Sequence, residues 1–230
     1  IEEDYLRIIR FIRFSLQYDH NDFEKSTLDA IKLNLNGIKN LSKERIFNEL
    51  LKILSLKKFV KIINKDKLRN IFSLIFPELK YLDRMNKFQY LPDDFTIDTV
   101  VLLGVLLIDK SNNFEYFCHK YKVSNELKNK LSNLSELFIK FQKDDQFFKK
   151  NIKKYAYYSG KNNLIDLNQL IFFLEKKVRS QIFLKIEKDI KKILIPKFPF
   201  DGKFLMKKGF SEGKKIGELI KLIEKEWVDK

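Results

Sequence analysis

Apolar residues recur at three- and four-residue spacing along most of this chain, and little interrupts them. Only seven glycines and four prolines are spread over 230 residues, and few runs alternate at period two. This pattern predicts an all-α fold, a multi-helical elongated array. Apolar side chains make up 44% and aromatic ones 14%, enough for one sizeable core or two to three small ones. The longest nearly uninterrupted apolar stretch, Val100 to Ile108, is about half of the ~20 residues needed to cross a bilayer. It predicts a buried helix, and no membrane partner is expected.

The first fourteen residues carry the sharpest chemistry. Arg7, Arg10 and Arg13 follow an acidic pair, Glu3-Asp4, at strict three-residue spacing. On a helix, positions i and i+3 are neighbours, so Asp4 and Arg7 project side by side. Leu6, Ile8, Ile9, Phe11, Ile12 and Phe14 make the remaining circumference largely apolar, which predicts burial by several neighbours. A guanidinium in such a setting needs a polar partner. One reading supplies it internally, by a ladder such as Glu3–Arg7 with a solvated basic edge. The other supplies a nucleotide base, because a carboxylate accepts and a guanidinium donates in a planar fork.

Lys+Arg is 46 against Asp+Glu 31, a net charge of +15. Such a surplus points to a polyanion, either nucleic acid or an anionic membrane. Compositional drift toward Lys, Ile, Asn and Phe would raise lysine, but it would not space arginines every third residue. Cys118 is the single cysteine, which excludes an intrachain disulfide. With His119 and His20 it provides too few ligands for a His/Cys metal site.

Glu3-Asp4-x-x-Arg7-x-x-Arg10-x-x-Arg13-Phe14 resembles the base-reading motif of the bacterial-type (class II) CCA-adding enzymes, or tRNA nucleotidyltransferases, and of the related bacterial poly(A) polymerases. Ser42-Lys43-Glu44-Arg45-Ile46-Phe47-Asn48-Glu49-Leu50 and Pro199-Phe200-Asp201-Gly202-Lys203 through Trp227 extend the resemblance, in the family's order, over almost the whole chain. The resemblance implies that Asp4 and Arg7 select CTP or ATP by Watson–Crick-like hydrogen bonds. Glu3, Arg10 and Arg13 would support them, and Arg45 would steady the base-reading helix from a second one. It also implies a neck over 1–60, a body over 61–115 and a tRNA-binding tail over 116–230.

In the tail, Gly213 opens the last helix amid Lys203, Lys207, Lys208, Lys214 and Lys215, a setting that favours phosphate. The family pattern in the tail is Gly, a basic residue, then Asp, where this chain has Gly202, Lys203 and Phe204, so that position carries no expectation. The family's Mg2+ is held by Asp-x-Asp beside a glycine-rich loop. No Asp-x-Asp or Gly-Gly occurs here. No catalytic or metal-binding residue is therefore expected in this chain, and it should be inactive without a head supplied upstream or by another chain.

The function implied is the nucleotide-selecting and tRNA-binding portion of an enzyme that adds CCA to tRNA 3′ ends. A poly(A) polymerase, a CC- or A-adding enzyme, or a non-catalytic helical RNA-binding module are the alternatives. The chain begins at Ile1, mid-motif, so the natural N-terminus is expected upstream. A cytoplasmic location is expected, with an organellar leader left open.

Local signals add boundaries. Helices are expected over 2–18, over Thr27–Leu35 with Ser26 or Thr27 as cap, from Ser42, over Lys65–Phe76 ending at Pro77, and over Ile97–Ile108. Asn36-Gly37 should close the second helix at positive φ, Leu91-Pro92-Asp93-Asp94 should form a linker, and Gly217 should serve close packing. Phe147, Phe148, Tyr155, Tyr157 and Tyr158, interleaved with Lys149, Lys150, Lys153 and Lys154, could be core or could stack bases.

Overall fold

The computed structural model describes residues 4–20, 23–109, 111–210 and 213–229. Within them the chain is all-α, with no strand. Helix α1 spans Leu6–Gln17, α2 Lys25–Asn34 and α3 Lys43–Leu54. A 3-10 segment, Leu35–Asn40, joins α2 to α3, and a second, Lys57–Asn64, leads into α4, Asp66–Ile75. After a third, Leu82–Tyr90, come α5 (Thr99–Leu107), α6 (Asn113–Lys120), α7 (Asn125–Lys143), α8 (Ile152–Ser159), α9 (Lys161–Leu174) and α10 (Ser180–Lys192). Helices α11 (Gly202–Lys207) and α12 (Lys214–Asp229) form a terminal hairpin.

Helix α5 is the hub. Asp98 starts it by accepting the Val100 N–H at 2.7 Å, two residues later than the spacing predicted. Every residue from Val101 to Ile108 is buried, because α5 packs against α3, α6, α7, α9 and the 82–90 segment. That segment also supplies two cations to helix ends. Arg84 donates to the carbonyls of Val105 and Ile108 at 2.6 and 2.9 Å, and Lys87 donates to those of Phe172 and Glu175. C-terminal carbonyls that would lack partners are thereby satisfied at both α5 and α9.

One apolar core runs from Leu6 to Ile190, across positions 60 and 115, where neck, body and tail were expected to part. Leu205 and Ile216 are buried outside it, in the α11/α12 hairpin.

Helix α1 is shorter than expected. Asp4 caps it, accepting the Leu6 N–H at 3.0 Å. Leu6, Ile8, Ile9, Ile12 and Leu16 are buried toward α3, α4 and the 57–64 segment, while Phe14 remains exposed. At its far end Asp19, at φ 58°, binds Lys61 and Lys65 at 2.6 and 2.7 Å. The two lysine hydrogen bonds hold its carboxyl far below the usual carboxylate range.

Helix α2 begins at Lys25, before the predicted caps, and Ser26 turns back to Glu24. Gly37 does not close it at positive φ. Its reason is steric, since a Cβ there would lie 2.1 Å from the Tyr5 ring. Gly37→Ala should therefore destabilise the chain by about 1–3 kcal/mol through overpacking. In a Tyr5→Ala background the same change should cost much less. Thermal melts of the four variants check this, and additive costs would separate Gly37 from Tyr5.

Gly217 was expected to serve close packing, yet a Cβ there would meet nothing within 4 Å. Phe147 is fully buried and stacks on Tyr155 at 3.8 Å, so this pair of the 147–158 aromatics belongs to the core.

Candidate nucleotide- and RNA-binding surface

Asp4 and Arg7 stand one turn apart at the start of α1, and the Arg7 N–H donates to the Asp4 carbonyl at 3.0 Å. Arg7 is exposed. Asp4 is held from a second element. Arg45, in the first turn of α3, approaches its two carboxylate oxygens at 3.4 and 3.3 Å. Arg45 is placed by the predicted cap, because Ser42 accepts its N–H at 3.3 Å. A carboxylate offers about four lone-pair sites. Leu6 and Arg45 leave Asp4 capacity to accept from a further donor. Glu3 lies outside the described residues.

Arg10 and Arg13 do meet an internal carboxylate, though a different one from the ladder considered. Glu49 of α3 is buried and takes Arg13 Nε at 3.0 Å, Lys52 Nζ at 2.8 Å and Arg10 Nε at 3.7 Å. Burial raises the carboxyl's pKa, but Lys52 and Arg13 outweigh it and hold the group below its ordinary range. Arg13 also lies 4.3 Å over the Phe14 ring. The arginine stripe is thus half structural. It bolts α1 to α3 through Glu49, and at its other end Asp4 meets Arg45 of the same helix. A signal for Glu49 was present, since a glutamate falls on the same helical face as Ile46, Leu50 and Ile53.

Lys203, Lys207, Lys208, Gly213, Lys214 and Lys215 are all exposed on or beside the α11/α12 hairpin. Gly213, at φ 146°, sits directly before α12. The Asp201 side chain caps α11 by accepting the Phe204 N–H at 2.8 Å. Sequence reasoning missed the aromatic track beside these lysines. Tyr158, Tyr157, Trp227, Phe198, Phe200 and Phe204 follow one another at ring separations of 4.8 to 5.7 Å. Lys208 lies 5.9 Å over the last ring. The track ties the hairpin to α8, reinforced by ion pairing of Lys154 with Asp229.

Four clefts of about 630, 750, 490 and 210 Å³ indent the surface, and none of these four is walled by α1. Among the described residues no three His, Cys, Asp or Glu side chains converge to hold a metal. No helix among the described residues is long and apolar enough to cross a membrane.

Two family models match. Residues 97–230 match one described as tRNA nucleotidyltransferase domain 2, and residues 22–82 match one described as the RNA and SrmB-binding site of polymerase A. The chain belongs to the tRNA nucleotidyltransferase family. Over 99% of its length it is 28% identical to CCA tRNA nucleotidyltransferase 1, mitochondrial, of Homo sapiens, and 27% identical to that of Mus musculus, covering 52% of each. It is 30% identical over 79% of its length to the CCA-adding enzyme of Staphylococcus saprophyticus, covering 42% of that protein. The chain thus spans about half the length of the curated relatives it matches.

Proposed function

We propose that this chain selects the incoming nucleotide and grips tRNA for an enzyme that adds CCA to tRNA 3′ ends. The observation that supports this reading is the position of Asp4 and Arg7 one turn apart at the capped start of α1, with Asp4 braced by Arg45. Asp4 accepts hydrogen bonds from the base edge of CTP or ATP, and Arg7 donates to it. Arg10 and Arg13 are anchored on Glu49 and keep the helix in register beneath them. The tail lysines neutralise tRNA phosphates, and the aromatic track beside them gives unpaired bases a stacking surface.

The full gene product, given CTP, ATP, magnesium and tRNA lacking its last three nucleotides, should add CCA and stop. Long A tails would instead indicate a poly(A) polymerase, and C's alone or A alone a partial enzyme. tRNA binding without incorporation would indicate a non-catalytic module.

Salt tests the grip separately. Five tail lysines on phosphates should give a log–log slope near −4.5, a loss of roughly 500-fold in affinity between about 50 and 200 mM salt. A flat response in a filter-binding titration would remove the tail from the interface.

A further inference from the structure

Of the chain's seven glycines, four would accept a Cβ with nothing within 4 Å of it. Gly37 is the opposite case, because a Cβ there would overlap Cε1, Cδ1 and Cζ of Tyr5. The Tyr5 ring therefore rests on the backbone of the 35–40 segment, at a closeness that only a glycine permits. The backbone of Tyr5 belongs to the turn that carries the candidate site. Asp4 bridges over it, accepting the Leu6 N–H with its side chain and the Arg7 N–H with its carbonyl, both at 3.0 Å. The Tyr5 carbonyl in turn accepts the Ile8 N–H at 3.1 Å.

The same stretch of chain holds this turn a second time further along, where Arg45 meets the Asp4 carboxylate at 3.3 Å. Those two side chains are 52% and 28% exposed, so the pair is screened by water and holds its geometry loosely. Ile38 and Ile46 anchor the stretch in the core. Close-packed groups give way little, which makes the ring on Gly37 the stiffer of the two holds.

We propose that Tyr5 and Gly37 are positioning residues for base selection: the ring seated on Gly37 sets the angle at which Asp4 and Arg7 meet the base. The inference rests on the base-selecting reading of α1. It assigns control of nucleotide choice to a residue, Gly37, that does not touch the nucleotide.

The test compares kcat/KM for ATP and CTP in the full gene product on tRNA ending in CC. A misplacement of the order of 1 Å can cost about a hundredfold, so Gly37→Ala should lower the ratio by about tenfold, with tRNA affinity unchanged. Tyr5→Ala, which removes the seated ring, should lower it by a similar factor. In the Tyr5→Ala background, Gly37→Ala should change the ratio no further, because no ring is left to displace. Gly104→Ala is the control for lost stability, since its Cβ would crowd Leu134 at 3.0 Å inside α5. It should slow both nucleotides equally and leave the ratio alone. An unchanged ratio in Gly37→Ala, or in Tyr5→Ala where Gly37→Ala does not fold, would overturn the proposal. So would an equal effect of Gly37→Ala with and without the ring. Arg7→Ala, measured alongside, separates the two levels. If it alone shifts the ratio, base selection stands and the seat falls; if none of the three shifts it, both fall.

Discussion

Glu49→Ala is expected to melt about 5–10 °C below the parent at pH 7, with helix content retained in the cold. Removing one partner of a buried ion cluster costs about 3–5 kcal/mol when the remaining charge stays buried. Here the cost is reduced, because the Arg10 and Lys52 side chains, 41% and 58% exposed, can turn to water. Arg13, at 19%, cannot do so as freely. That leaves about 2–3 kcal/mol, and in a chain of this size each kcal/mol moves the midpoint by about 2–4 °C.

The pH dependence gives a second check. The folded Glu49 carboxyl titrates below its ordinary range, so its contribution is complete above about pH 4.3, the unfolded value. It fades as the pH falls through the lower, folded value. The parent's advantage over Glu49→Ala should therefore shrink on moving from pH 7 to about pH 3. Circular dichroism melts at both values read it. Equal midpoints at pH 7 would reduce the cluster to ordinary surface pairing.

Much of the fold was legible because period and punctuation agree with packing. The Val100–Ile108 stretch is apolar on every side, and it became the helix that α3, α6, α7, α9 and the 82–90 segment pack against. Ser42 announced α3 and caps it, and Pro77 stops α4 where expected. What stayed hidden depends on contacts distant in sequence. Nothing near Gly37 says that the Tyr5 ring lies on it, so the residue reads as a turn former. Nothing in the sequence sets Arg84 and Lys87 apart, yet they close the ends of two other helices. The site divides in the same way. The stripe itself was visible, but the bolting of Arg13 to Glu49 and the meeting of Asp4 with Arg45 required α3 in place. The aromatic track stayed hidden because Tyr157 and Trp227, which meet in it, lie seventy positions apart.

In the full gene product, Arg7→Ala should reduce discrimination between CTP and ATP by about 1–3 kcal/mol, the worth of one bidentate base contact. That corresponds to roughly 5–150-fold in relative incorporation, with tRNA affinity changed less than about twofold. The asymmetry follows from position, because Arg7 stands on α1 beside Asp4 while the tail lysines stand on the hairpin. Arg7→Lys separates geometry from charge. Lysine keeps the positive charge but loses the planar fork, so it should restore triphosphate affinity without restoring the choice of base. Arg45→Ala should act more mildly in the same direction, since Asp4 keeps its bond to the Leu6 N–H and loses only its brace. Competition assays with both nucleotides and tRNA ending in CC or C read all three variants. If Arg7→Ala leaves the preference between CTP and ATP unchanged while lowering tRNA affinity, the start of α1 binds backbone and not base, and the template role of Asp4 and Arg7 fails with it.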